Sequence, residues 1–172
     1  MAALRNAQLQ WRPATTADLP GIQKLSDEMH SSLPERPEVF AEKLALFQRG
    51  CFVLNWYEAM VGYSFSYPWV LKSIPPLDRL LGTLPRSPEC LFIHDVVIQN
   101  HARGYGAARV LLDRLVDLAR RDGLSYLVLV SVYGTYPLWA RFGFEIVSDP
   151  ALCGSLKSYG DTSHYMIRAA NP

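Results

Sequence analysis

Apolar positions recur along this chain in two rhythms, and the switches between them mark its elements. Ala108, Leu111, Leu112, Leu115, Leu118 and Ala119 are spaced three and four apart, with Arg109, Asp113, Arg114, Asp117, Arg120 and Arg121 opposite them. That spacing predicts an amphipathic helix reaching about Asp122 and stopped by Gly123. The apolar stretch Ile93 to Ile98 just before it predicts a strand.

Earlier in the chain, Leu9 to Arg12 reads as a short strand ended by Pro13. Thr16-Ala17-Asp18-Leu19-Pro20 opens a helix carrying Leu19, Ile22, Leu25 and Met29, and Ser31-Ser32-Leu33-Pro34 breaks it. A second helix starts near Pro37 with Val39, Phe40, Leu44 and Phe47 apolar, and Gly50 closes it. Cys51 to Trp56 and Val61 to Tyr67 predict paired strands around a turn at 57–60, with Gly62 as a bulge. From Pro68 the chain reads as irregular. The 69–88 connection is rich in apolar residues and interrupted by Pro75-Pro76 and Pro85, which suits a lid or a binding wall.

After the long helix, Tyr126 to Val132 predicts a strand buried on both faces. Pro137 starts a short helix ending near Phe142, Phe144 to Val147 is a strand, 152–162 a loop, and His164 to Arg168 a last strand. The sum is an α/β fold with a mixed sheet covered by helices, and the length predicts a single domain over 1–172.

Composition narrows the function. Half the residues are apolar and 19% are charged, as in an ordinary soluble protein. A net charge of +1 gives no electrostatic case for nucleic acid or an anionic membrane as partner. No apolar run is long enough to span a bilayer, and Met1-Ala2-Ala3-Leu4-Arg5-Asn6 lacks a leader's apolar core. Cys51, Cys90 and Cys153 are odd in number and lack metal-ligand spacing. The expectation is a cytoplasmic protein with buried thiols at Cys51 and Cys90 and no metal.

The chemistry concentrates where the Ile93 strand meets the long helix. Arg103-Gly104-Tyr105-Gly106-Ala107 is a tight turn into a helix start, whose first N–H groups lack intrahelical partners and carry the positive end of the helix dipole. Such an end suits an anion, above all phosphate, and two glycines leave the backbone open to it. No Gly-Lys-Ser/Thr follows, so this is not an ATP-type phosphate loop, and Arg109 stands where a dinucleotide fingerprint needs a small residue.

These residues resemble the acetyl-coenzyme A signature of the GCN5-related N-acetyltransferase (GNAT) superfamily, Gln/Arg-x-x-Gly-x-Gly/Ala. Gly104 and Gly106 match, while His101 departs at the first position. Leu138-Trp139-Ala140-Arg141-Phe142-Gly143-Phe144 resembles the family's Leu-Tyr-x-x-x-Gly-Phe, in the right order and at the right separation. The resemblance implies a GNAT-like, largely antiparallel central sheet flanked by helices. It implies coenzyme contacts from Val96, Val97, Ile98, His101, Arg103, Gly104, Tyr105, Gly106, Ala107, Ala108 and Trp139, with acetyl-coenzyme A as cosubstrate.

In many relatives a Glu on the central strand acts as base, and Phe92 holds that position here. Strict alternation puts Phe92 and His94 on one face and Asp95 on the other, barring a bulge. His94 is then the replacement base, as the resemblance to arylalkylamine N-acetyltransferases implies. The family's acid, a Tyr, is replaced by Trp139, whose N–H is no proton source, which leaves Tyr133 and Tyr136 as the nearest phenols. Acceptor contacts are expected from His30, Leu33, Glu35 and Trp69. Trp56, Tyr63, Tyr67 and Trp69 suggest an acceptor with an apolar part.

The resemblance implies acetyl transfer to a primary amine of a small molecule by direct attack in a ternary complex, and no cysteine carries a nucleophile motif that would suit a covalent acetyl-enzyme. A coenzyme-binding module without catalysis, acetylation of a peptide or protein amine, and transfer of a longer acyl group are the alternatives. A homodimer is a further expectation of the resemblance.

Overall fold

Seven strands join in one sheet in the order β1-β2-β3-β4-β5-β7-β6. They are β1 (Leu9–Pro13), β2 (Cys51–Trp56), β3 (Ala59–Trp69), β4 (Cys90–Ile98), β5 (Tyr126–Ser131), β6 (Glu145–Ile146) and β7 (His164–Ala169). The coordinates are a computed structural model that describes residues 9–171, so the N-terminal stretch read for a leader lies outside the described residues. Only β4 and β5 run parallel; every other neighbouring pair is antiparallel.

Helices α1 (Leu19–Met29) and α2 (Pro37–Leu46) cover one face of the sheet. Ile22, Leu25, Phe40 and Leu44 pack there with Tyr63, Phe65 and Val97. Helix α3 (Ala107–Arg121) covers the other face, where Leu111, Leu112 and Leu115 share a core with Leu54, Val61 and Ile93. The three-and-four spacing thus buries one stripe of α3, and strand alternation divides the two cores. Short helices α4 (Tyr136–Ala140) and α5 (Cys153–Leu156) follow β5 and β6.

The structure corrects several expected boundaries. The β2–β3 turn is only Tyr57-Glu58, with Tyr57 at φ 54°, and pairing resumes at Ala59. The extra residue in that hairpin is Val61 rather than Gly62, because Met60 pairs with Asn55 and Gly62 with Leu54. A side chain on Gly62 would instead strike the Val97 carbonyl oxygen. Strand β3 continues through Pro68, which pairs with Leu91. The Trp69 carbonyl faces β4, accepting from the Glu89 N–H, so the N–H that Pro68 lacks falls on the side β2 no longer covers. The 152–162 segment, expected as a loop, holds α5 and a 3-10 turn.

The 69–88 connection, expected as a lid or a binding wall, is fastened at several points. Ile74 is in the core; Tyr159 donates to the Pro75 carbonyl (2.6 Å), and the Lys72 N–H donates to Tyr165 (3.1 Å). The Glu42 carboxylate accepts the Leu81 and Gly82 N–H groups, and Arg36 pairs with Asp78. Among the described residues no helix is long and apolar enough to cross a membrane. Cys51 and Cys90 are buried, which pushes each thiol up to about 12.

Candidate active site

Strands β4 and β5 pair only from Cys90–Tyr126 to Ile93–Leu129 and then part. From His94 to Ile98, β4 therefore keeps its β3 partner but presents the other edge, with its backbone donors and acceptors, to a cleft of about 820 Å3. The cleft runs from the Gly104–Ala108 turn, past Val96, Val97 and Ile98, to the α1–α2 loop.

At the turn end, Gly104 and Gly106 both sit at φ 82°, a region that side chains resist. A Cβ at either would meet nothing within 4 Å, so no protein atom fills the cradle above them. Gly106 caps α3 and leaves its first N–H groups facing the opening. Trp11 fixes this end from β1, its indole N–H donating to the Ala107 carbonyl at 2.8 Å. Arg103, Arg109 and Arg141 line the same end, and Arg103 Nε also ties the turn to the Ile98 carbonyl (2.8 Å).

At the other end, two histidines are each held by a carboxylate. The β3–β4 register shifts at Phe65–Asp95 and Ser66–Ile93, so His94 is an extra, bulged residue. Phe92 and Asp95 then share the α1–α2 face, contrary to strict alternation, and His94 turns toward that side too, against Tyr67 and Glu35. His94 Nε2 lies 2.7 Å from Glu35 Oε2, and their side chains are 2% and 5% exposed. Asp95 does not orient His94. It takes His30 Nε2 on Oδ1 (2.9 Å) and the Tyr63 hydroxyl on Oδ2 (2.6 Å).

Both carboxylates fix the tautomers: each Nε2–H donates to its acid, which leaves Nδ1 of His30 and of His94 buried without a partner. Burial would raise the Glu35 pKa. The charge and hydrogen bond of His94, with Lys43 and the Asp78 N–H, outweigh that and hold the carboxyl at about 2. Burial likewise pulls His30 down, but the hydrogen bond and charge of Asp95, with Glu35 behind, leave its pKa raised.

The cleft brings together His30, Leu33, Glu35, His94, Val96, Val97, Ile98, Arg103, Gly104, Gly106, Ala107, Ala108, Tyr133 and Trp139. Glu35 is spent on His94 and on the Asp78 N–H rather than offered to an acceptor. Four expected residues stand outside the lining. His101 and Tyr105 pack on Trp56, Tyr136 lies edge-on to His164, and Trp69 packs on Tyr67. Of the aromatics expected beside an acceptor, Tyr63 is a core residue under α1 and α2, and Tyr67 is buried against Trp69, Phe92 and His94. The aromatic surface of the cleft comes instead from His30, His94, Tyr133, Trp139, Phe142 and Tyr159. Sequence reasoning missed Asp95 as the His30 partner, because only the bulge turns it to that face. The residues whose side chains bring the α1–α2 loop to β4 are 59 and 65 positions apart in the chain.

A family model described as the acetyltransferase (GNAT) family matches residues 16–144. No curated protein sequence matches this chain. A GNAT-like decarboxylase, GphF, solved with isobutyryl-CoA superposes at TM-score 0.73 and 18% identity over 94% of this chain and 100% of that one. The N-acetylglutamate synthase of Neisseria gonorrhoeae, solved with coenzyme A and N-acetyl-glutamate, gives 0.72 at 19% identity, covering 95% of this chain and 35% of that longer one. The NatC complex, bound to Gag peptide and CoA, gives 0.69 at 15% identity over 94% and 98%. At these identities the likeness shows a shared fold.

Proposed function

The chain belongs to the acetyltransferase (GNAT) family, and from that premise we propose that it transfers acetyl from acetyl-coenzyme A to the primary amine of a small molecule with an apolar skeleton. The observation that carries this reading is one continuous cleft joining an open, glycine-walled anion cradle to two acid-held histidines.

The residues fit the coenzyme. The N–H groups at the start of α3, with Arg103, Arg109 and Arg141, suit a diphosphate. The unpaired edge of β4 at Val96–Ile98 offers backbone hydrogen bonds to the pantetheine amides and a donor to the thioester oxygen. When bound, the coenzyme supplies an activated acetyl thioester.

His94 takes the proton from the amine. Its Nε2–H is committed to the ionised Glu35, so the lone pair sits on Nδ1, and Glu35 stabilises the imidazolium that forms. Of the two phenols expected as acid, Tyr133 lines the cleft and Tyr136 does not.

A small acceptor is favoured over a through-running peptide because the α1–α2 loop crosses to the end of β5. His30 stacks on Tyr133 (5.7 Å between centroids), and Ser32 Oγ donates to the Tyr133 oxygen at 3.3 Å. Met29, Leu33 and Leu77 make that end apolar. The test is turnover with acetyl-coenzyme A over a panel of arylalkyl and alkyl amines and short peptides. Preference for an apolar amine, reduced on the order of 10²-fold or more in His94→Ala, is the expected result. Tight coenzyme binding with no turnover of any amine would replace the enzyme by a coenzyme-binding module.

A further inference from the structure

Transfer of an acetyl group leaves a thiolate, and Trp139, at the position where the resemblance implies a tyrosine, has an N–H that can donate a hydrogen bond but is too weak an acid to protonate it. The cleft holds one other group built for the task. His30 sits at the end of α1, in a loop that reaches the point where β4 and β5 part. One edge of its ring is fixed by Asp95, the residue after the bulge, and its flat face lies on Tyr133, two residues past the end of β5. The imidazole therefore bridges the two parting strands at Asp95, next to the stretch of β4 assigned above to the thioester arm, and lines the same cleft. Its Nδ1 is buried and has no partner within the protein.

We infer that His30, held by Asp95, is the proton donor to the departing thiolate, with Tyr133 positioning its ring. This rests on the acetyl-coenzyme A reading above. As the amine nitrogen bonds to the acetyl carbon, the carbon–sulfur bond breaks. The nitrogen loses one proton to His94 Nδ1, and the sulfur gains one from His30 Nδ1. The products are the amide and the free thiol, and the two imidazoles then exchange the proton difference with solvent.

The surroundings suit an imidazolium. Asp95 and Glu35 supply negative charge from β4 and the α1–α2 loop, and Tyr63 from β3 donates the second hydrogen bond to Asp95. The raised His30 pKa follows from these neighbours. Two acid-held histidines in one cleft can then split the work, one receiving a proton and one giving it. Of the other phenols near the two histidines, Tyr63 donates to Asp95 and Tyr159 to the Pro75 carbonyl, while the Tyr67 hydroxyl is buried without a partner outside the cleft lining. Tyr133 is the rival donor.

The experiment reads the sulfur directly and needs no acceptor. Coenzyme A is bound to wild type, His30→Gln and Tyr133→Phe, affinity is checked by calorimetry, and thiol ionisation is followed by the ultraviolet absorbance of the thiolate. A cation beside the sulfur lowers the thiol pKa in wild type by about one unit or more relative to His30→Gln, while Tyr133→Phe behaves as wild type. Equal ionisation in wild type and His30→Gln, or a rise confined to Tyr133→Phe, overturns the assignment. A second measurement needs no variant. The His30 ring of wild type, followed by NMR, titrates higher with coenzyme A than with desulfo-coenzyme A, and identical titrations overturn the assignment equally. If coenzyme A does not bind wild type at all, the underlying acetyltransferase reading fails and this one with it.

Discussion

The pairing of His94 with Glu35 is the site's most demanding arrangement, because both groups are almost out of water. Removing one partner of a buried pair leaves the other unpaired, so Glu35→Ala should cost about 3 kcal/mol in a denaturation experiment and lower kcat on the order of 10²-fold. The sign of the pH effect follows from the depressed pKa. Glu35 titrates at 4.5 in the unfolded chain and at about 2 when folded, so its contribution is present above pH 4.5 and fades as pH falls toward 2. His30 works in the opposite direction. Its contribution is full below its ordinary value of 6.5 and is lost as pH rises through the raised folded value. Thermal melts of wild type and His30→Gln should therefore differ most below neutrality and converge at alkaline pH. At this scale the sequence was only partly legible. His94 stood out as an ionisable residue on an apolar strand, but Glu35 read as facing an acceptor, since nothing local shows that a loop carboxylate will reach a strand 59 residues away.

Elements were more legible, because periodicity depends on neighbours in sequence. The α3 stripe, the glycine turn and the buried strand β5 follow from spacing and chain punctuation. The β4 bulge did not, since an extra residue leaves no mark on composition and shows only against the β3 register. That bulge decides which side chains meet, so β3 must stay close to β4 around it. Gly62→Ala, whose side chain would collide with the Val97 carbonyl, should destabilise by about 1–3 kcal/mol in urea unfolding. The start of α3 has its own anchor. Trp11→Phe deletes the bond to the Ala107 carbonyl and should cost about 1 kcal/mol, with weaker coenzyme binding measured by calorimetry.

Across the whole molecule, one sheet is opened at a single seam and its two ends do different work. The proposed anion end is lined by the glycine turn and arginines, and the proposed acceptor end by side chains from α1, its following loop, β4 and β5. The 69–88 connection secures the second end as a fixed wall. Glu42→Ala, which frees the Leu81 and Gly82 amides, should speed hydrogen exchange there without altering exchange in β4. The general architecture was readable because two separated sequence blocks fix one fold. The aromatic lining was not, because β3 aromatics that alternation could place on either side turned into the core. The central claim, that the seam is a coenzyme site, is tested most directly by calorimetric titration of acetyl-coenzyme A into wild type and Gly104→Glu. Binding to wild type and its loss in the variant is the predicted result, since a carboxylate at φ 82° would both strain the turn and repel a diphosphate. No heat of binding with wild type, or equal affinity in both, would contradict the account.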